Sequence, residues 1–363
     1  MSILTDQPDA VPDSMLSQTG YTPEVESIPE LLKTQYGLEA VKLEKSGTGA
    51  GSDTWFVTCR DGKYAVKYPS QSDMNHPELE PKLCAYLNQA GISACRFLKN
   101  HQGNYLTADG QGRIFHVQRF IPGTEYQPHT APDWLLTASA GMLGKIHTAL
   151  RDYAGLPVGI GKDFFRFMTP ERALQSYRRS LSIARTQQEP EIAAELEYRI
   201  ALMHRFPGYS FDLRQLTCQS THGDYFISQL RCGDHQINGV IDWTTACVHP
   251  VVWEIIRSFV YAAPSCRDGQ IDTAAFLAYL GEYRKYAKLN SYDLLCMVRL
   301  FYYQIAVCDY YGQYFASQAD NRNIYLFQAR FSTKLLRWLE NHVETLTAEI
   351  LVACDHCWKE RSL

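Results

Sequence analysis

The run Thr221-His222-Gly223-Asp224-Tyr225-Phe226-Ile227-Ser228-Gln229, followed by Ile241-Asp242-Trp243, constrains this chain more than any other stretch. Between the two aspartates, Leu230-Arg231-Cys232 and Ile237-Asn238-Gly239-Val240-Ile241 read as short strands, and Gly233-Asp234 supplies the residues that a tight reversal requires. A loop followed by such a hairpin returns Asp242 toward Asp224. Any fold that accepts this segment must present two carboxylates, one from a loop and one from a strand end.

Phosphoryl transfer needs that pair. The protein does little covalent work in this chemistry: one carboxylate orients the acceptor hydroxyl, and oxygen ligands hold the magnesium that bridges the phosphates. On this basis Asp224 is the orienting group and Asp242 a metal ligand. His222-Gly223-Asp224, an amide five positions on, and Ile241-Asp242-Trp243 together resemble the aminoglycoside phosphotransferase and choline kinase family, which is related in fold to protein kinases. The resemblance implies a bilobal α+β fold of the protein-kinase type, with a small N-lobe built on an antiparallel sheet and a larger, mostly helical C-lobe. It also implies ATP, or GTP, as the donor, Mg2+ as the cofactor, Asp224 as the catalytic residue, and position 229 with Asp242 as the metal ligands. The family usually has asparagine where Gln229 stands. Glutamine offers the same amide oxygen on a stem one methylene longer, so it can still coordinate magnesium. A chain whose Gln229 had surrendered the metal would instead bind nucleotide without turnover, as a sensing scaffold.

The same resemblance calls for a nucleotide half upstream. Lys45-Ser46-Gly47-Thr48-Gly49-Ala50-Gly51-Ser52-Asp53 is glycine-rich and leads into the strand-like Thr54-Trp55-Phe56-Val57-Thr58-Cys59. Gly47, Gly49, Gly51 and Ser52 are candidates to let backbone amides approach phosphates; an ordinary flexible hairpin would use the same residues. No Gly-Lys-Ser/Thr opens a helix here, so this is not a Walker loop. Asp61-Gly62 marks a second turn, and Ala65-Val66-Lys67 on the returning strand places Lys67 where kinase folds hold the phosphate-pairing lysine. Glu78 and Glu80 are candidates for its carboxylate partner, with Glu80 preferred. Pro81 belongs in a first helical turn, so that helix is expected to start near Pro77 and to stop at Gly91. Arg113 to Gly123 reads as the last strand of the small lobe running into a hinge. Arg119, Phe120 and Ile121 are its candidates for adenine contact through the backbone.

A chain of 363 residues exceeds what one core usually supports, so two lobes are expected: 27–120 and 121–363, after a flexible polar leader at 1–26. A formal net charge of −4 gives no basic stripe for nucleic acid, and no apolar run is long enough to span a bilayer. The opening residues lack the basic-then-apolar order of a secretion signal, and the 11 scattered cysteines suit reduced thiols. A cytoplasmic protein acting on a small hydroxylated acceptor, without nucleic-acid or membrane partners, is the expectation. Cys354-Asp355-His356-Cys357 reads as two thiols on a terminal helix, since a zinc site needs a second pair that no nearby segment offers.

Three further elements are expected. Ser27-Ile28-Pro29-Glu30 opens a helix with Leu31, Leu32 and Tyr36 as its apolar face. A long helix from Asp133 carries Trp134, Leu135, Ala138, Met142, Leu143, Ile146 and Leu150 at three- and four-residue spacing, with His147 in the stripe as a core histidine. His249-Pro250 starts a helix on which Glu254 stands where the family commonly has aspartate, orienting the catalytic loop from below. Tyr283, Tyr286, Tyr302, Tyr303, Tyr310, Tyr311 and Tyr314, with Glu282 and Asp309, either pack helices together or contribute to an acceptor pocket. No Asp-Phe-Gly or Ala-Pro-Glu segment follows the hairpin, which argues against a protein kinase.

Overall fold

A computed structural model describes residues 27–46, 52–69, 76–317 and 319–360, and it divides into two compact units. The first comprises the described part of Met1–Gly123 together with Asn238–Thr245; the second is Thr124–Ile237 with the described part of Ala246–Leu363. The expected leader and the glycines at 47, 49 and 51 lie outside the described residues.

The first unit begins with α1 (Ser27–Tyr36), β1 (Ala40–Lys45), β2 (Ser52–Cys59) and β3 (Gly62–Pro69). It continues through α2 (Leu79–Gln89), β4 (Arg96–Phe97), β5 (Thr107–Ala108) and β6 (Ile114–Arg119). The sheet runs β1-β2-β3-β6-β4, with β5 also on β6, and every pairing is antiparallel. Strand alternation assigns its two faces. Trp55, Val57, Tyr64, Val66, Tyr68, Phe115 and Val117 form one buried core with Ile28 and Leu32 of α1. Lys67 and its cross-strand partner His116 must therefore point from the opposite face. Ile28 joins Leu32 as the buried contact of α1, while Leu31 and Tyr36 pack at its margin.

The α2 helix begins at Leu79, two residues later than Pro77, and Pro81 falls within its first turn, where a missing N–H costs little. Gly91, at φ +81°, follows the helix end as anticipated, and Ile92 N–H returns to Leu87 O. Asn238–Thr245 joins this unit through Val240 N–H to Ser93 O and Ser93 Oγ to Asn238 O, 2.9 and 2.6 Å.

The second unit contains α3 (Asp133–Ala149), α4 (Lys162–Phe167), α5 (Pro170–Thr186), α6 (Pro190–Arg205) and β7 (Cys218–Thr221). β8 (Leu230–Cys232) follows, and β9 (Ile237–Val240) carries the chain back into the first unit. β10 (Cys247–Pro250) pairs antiparallel with β7, placing Thr221 opposite Cys247. The remainder is α7 (Val251–Ala262), α8 (Thr273–Tyr283), α9 (Ser291–Val307), α10 (Tyr310–Ala316), α11 (Ala319–Leu339) and α12 (Val343–Glu360).

Every residue of α7 is buried, so it forms the axis of this unit. On α3 and its C-cap the expected Leu135, Leu143, Ile146 and Leu150 are buried, as is His147; Trp134, Ala138 and Met142 are half-buried, and Ser139, Gly141 and Gly144 join the buried face. Close approach of α8 explains the small residues on that face, because a Cβ at Gly144 would stand 2.6 Å from Tyr283 O. Tyr283, Tyr302, Tyr303, Tyr311 and Tyr314 are buried packing residues, and Tyr286 is exposed. Buried Arg199 ties α6 to α11 and α9, donating to Thr333 Oγ1, Ser332 Oγ and Ile305 O. No helix among the described residues is long and apolar enough to cross a membrane.

Candidate active site

Residues from distant parts of the sequence meet in the first unit. Lys67 Nζ lies 2.6 Å from Asp242 Oδ1, with only 11% of the lysine side chain exposed against 39% of the aspartate. Burial works against the lysine charge, but the carboxylates of Asp242 and then Glu80 outweigh it and hold the ammonium above its ordinary pKa. Thr244 Oγ1 also donates to Asp242 Oδ1 at 2.9 Å. Asp242 adopts φ +60°, a left-handed conformation that is strained for a side chain with a Cβ and is held by its surroundings.

Glu80 is buried on α2, and its Oε1 accepts the Trp243 N–H at 3.1 Å, so the helix grips the residue next to Asp242. Glu78 is exposed and lies 3.8 Å from His76, which separates the two candidates for the lysine partner. His116 Nε2 is 3.7 Å from Glu80 Oε2, yet burial, reinforced by Lys67, pushes that imidazole down to about 3. It is neutral near pH 7, and the contact is not an ion pair.

At the end of this sheet Arg119 closes β6 opposite Tyr64, and Phe120 N–H donates to Lys63 O at 2.9 Å. The Phe120 ring packs edge-on against Phe56, 5.5 Å between centroids, beneath the Lys63 ammonium. The Phe120 amide is thus committed to the sheet, and Ile121 leads to Pro122, which has no N–H to offer. Ser52 is the first residue of β2, half-buried and opposite Pro69.

The second unit builds a separate arrangement around Asp224. Gly223 takes φ +83° at the end of β7, and its N–H donates to Glu254 Oε1 at 2.6 Å. The other oxygen of Glu254 lies 2.9 Å from His147 Nε2, and His147 Nδ1 lies 2.8 Å from the Tyr283 hydroxyl. Burial would raise the Glu254 pKa, but the His147 hydrogen bond and neighbouring imidazoles bring it down to about 2. A carboxylate on α7 and a histidine on α3 thereby fix the start of the loop. Tyr225 is buried with its hydroxyl on Ser139 O at 3.1 Å, which anchors the next turn.

Asp224 itself receives a cation that the sequence reading did not assign. Arg257 Nη2 donates to Asp224 Oδ1 at 2.7 Å, with 9% of the arginine side chain exposed against 27% of the aspartate. The guanidinium carbon sits 3.9 Å over the Phe226 ring and 4.9 Å over Trp253, a cation–π enclosure. The signal was present: on the largely apolar α7, Glu254 and Arg257 are the two charged residues and stand three apart on one face, a pattern that calls for buried partners. Gln229 ends a single helical turn, half-buried, its N–H on Phe226 O at 2.9 Å. Among the described residues no cluster of three His, Cys, Asp or Glu side chains is arranged to hold a metal, and the side chains of Asp355 to Cys357 lie outside the description.

The two units together define an α+β fold of the protein-kinase type carrying a phosphotransferase motif. A family model described as the phosphotransferase enzyme family matches residues 42–289, and the chain belongs to that family, whose members are small-molecule phosphotransferases. Among solved structures it is similar to an amicoumacin kinase in complex with AMP-PNP and Ca2+, at 13% identity and a TM-score of 0.59, covering 85% of this chain and 93% of the other. It is also similar to a microcompartment-associated aminopropanol kinase, at 13% identity and a TM-score of 0.58, covering 88% and 97%. A spectinomycin phosphotransferase solved with ADP and spectinomycin aligns at 15% identity and a TM-score of 0.54, covering 89% and 98%. A search of curated proteins gave no match.

Proposed function

We propose that this protein transfers the terminal phosphoryl group of ATP to a hydroxyl of a small molecule, of the class that includes antibiotics, sugars and amino alcohols. The observation that carries the reading is the 2.6 Å contact between Lys67 and Asp242, which joins the candidate phosphate-pairing cation to the candidate metal ligand within one compact unit. Lys67, steadied by Glu80, pairs the phosphates, and Asp224 accepts the hydrogen bond of the acceptor hydroxyl and orients it for in-line attack. The Glu254 contact to Gly223 and the Arg257 contact to Asp224 hold that carboxylate in a fixed rotamer.

A magnesium ion fits the donor chemistry. Asp242 contributes a carboxylate that is partly open to solvent, and Gln229 contributes an amide oxygen that makes no side-chain hydrogen bond among the described residues. Magnesium sites of nucleotide enzymes use one or two such oxygens and take the rest from phosphate and water, so a three-residue cluster is not required. When bound, the ion would neutralise charge on the phosphates during transfer. The segment from Arg119 to Ile121 would contact the base through its backbone, and its side chains leave the choice between ATP and GTP to the turnover assay.

The test is metal-dependent nucleotide turnover over a panel of sugars, amino alcohols and aminoglycosides, with Asp224→Asn beside the parent. A phosphorylated product is expected, and the variant is expected to lose about 10³-fold in kcat. Nucleotide binding by titration without product from any acceptor would sink the proposal, and unchanged turnover in the variant would remove Asp224 from its role.

A further inference from the structure

A cavity of about 520 Å3 opens in the second unit among the end of α3, β7 and the segment leading into α9. Val251, Leu289, Leu294 and Tyr283 give it an apolar wall. Arg151 and Lys288 stand at it as exposed cations, and neither makes an ion pair with any described residue. No acidic side chain lines it. Its volume falls within the range of about 300–1,000 Å3 typical of small-molecule sites. Two solvated cations over an apolar wall, with no carboxylate to neutralise them, suit a ligand whose acid group meets the cations while its body displaces water from the wall.

The cavity also touches the support of the catalytic loop. His147 and Tyr283 line it, and they are the residues whose contacts, 2.8 Å to each other and 2.9 Å from His147 to Glu254, lead to the carboxylate that accepts the Gly223 N–H. We propose that this cavity binds a small organic anion with an apolar body, held by Arg151 and Lys288, and that occupancy is transmitted through Tyr283, His147 and Glu254 to Gly223. None of Asp224, Gln229, Lys67 or Asp242 lines it, so the ligand is neither the donor nor the acceptor of the proposed reaction.

Anilinonaphthalene sulfonate, an aromatic ring system bearing one anionic group, is a suitable fluorescent probe, with the sulfonate-free amine as the neutral control. In the full chain, the charge-reversed double variant R151E/K288E is expected to bind the sulfonate about tenfold more weakly, a loss of about 1.4 kcal/mol. The pair Arg151→Lys with Lys288→Arg is expected to bind like the parent, and the neutral amine to bind weakly to all three. Amide exchange at Gly223 is expected to slow when the parent is saturated. Asp224→Asn should bind the probe normally, which keeps this outcome independent of whether the chain transfers phosphate. Equal affinity in the parent and the charge-reversed protein, or equal affinity for the neutral amine, would overturn the site. Tight binding with unchanged exchange at Gly223 would overturn the coupling.

Discussion

The two candidate aspartates are held by opposite strategies. Asp242, in the first unit, meets a buried lysine that leaves the far face of a sheet, and it pays for its position with a left-handed backbone. Asp224, in the second unit, meets a planar guanidinium locked between aromatic rings on a fully buried helix, and its strain-free neighbour Gly223 takes the positive φ instead. Both cations are buried; what differs is the shape of the donor, a single ammonium against a planar fork. On the proposed roles, the nucleotide side carries the strained backbone and the acceptor side the cation enclosed by rings.

The largest effect expected from breaking this contrast is at Lys67. Lys67→Met removes the ammonium that donates to Asp242 at 2.6 Å, and kcat should fall by about 10²–10³-fold in steady-state assays, with a raised KM for nucleotide. Next comes Glu254→Ala, which leaves buried His147 and the Gly223 N–H without their acceptor. A urea melt should show a loss of about 3 kcal/mol, and an unchanged midpoint would contradict the anchoring role of Glu254. Arg257→Gln should cost about 2 kcal/mol of transition-state stabilisation, roughly 30-fold in kcat, with little change in nucleotide KM. An equal rise in nucleotide KM for Arg257→Gln and Lys67→Met would erase the distinction between the sides.

The smallest effect, counted per ring and per pH unit, is a pH slope shared by both units. His116 in the first is pushed down to about 3 and His249 in the second to about 4, in each case chiefly by burial. An unfolded imidazole takes its proton near pH 6.5, so between that pH and the folded values the unfolded chain holds more protons. Stability is therefore complete above about pH 6.5 and falls as the pH drops below it, by up to about 1.4 kcal/mol per pH unit for each ring. Urea midpoints at pH 7, 6 and 5 measure the slope, and His249→Gln should flatten its share without altering that of His116.

Much of this arrangement could be read from residue order because it lies in short, local patterns. Ala65-Val66-Lys67 alternates along one strand, so its lysine had to face away from Tyr64 and Val66; Gly91 after a helical run had to end it. The reading went astray where a neighbour's backbone decided the outcome. On α3 Leu135, Leu143, Ile146 and His147 are buried as expected, but Trp134, Ala138 and Met142 are only half-buried, and Gly144, which admits Tyr283 O so closely, joins the buried face. Arg257 went unassigned for a related reason: its partner lies in a loop far along the chain, and periodicity marks that a charge is buried without marking what it meets. The glycines at 47, 49 and 51 fall outside the described residues, so their role rests on the sequence.

The closure of Lys67 on Asp242 has a consequence for biosynthesis. The sheet that carries Lys67 is complete once the ribosome has passed Arg119, but the carboxylate that neutralises the lysine is translated roughly 120 residues later, on the order of ten seconds at ~5–20 residues per second. Until Asn238–Thr245 emerges and adds itself beside Ser93, the nascent sheet carries a cation destined for burial with Glu80 but not its principal counter-ion, Asp242, and that interval is when chaperone engagement would matter most.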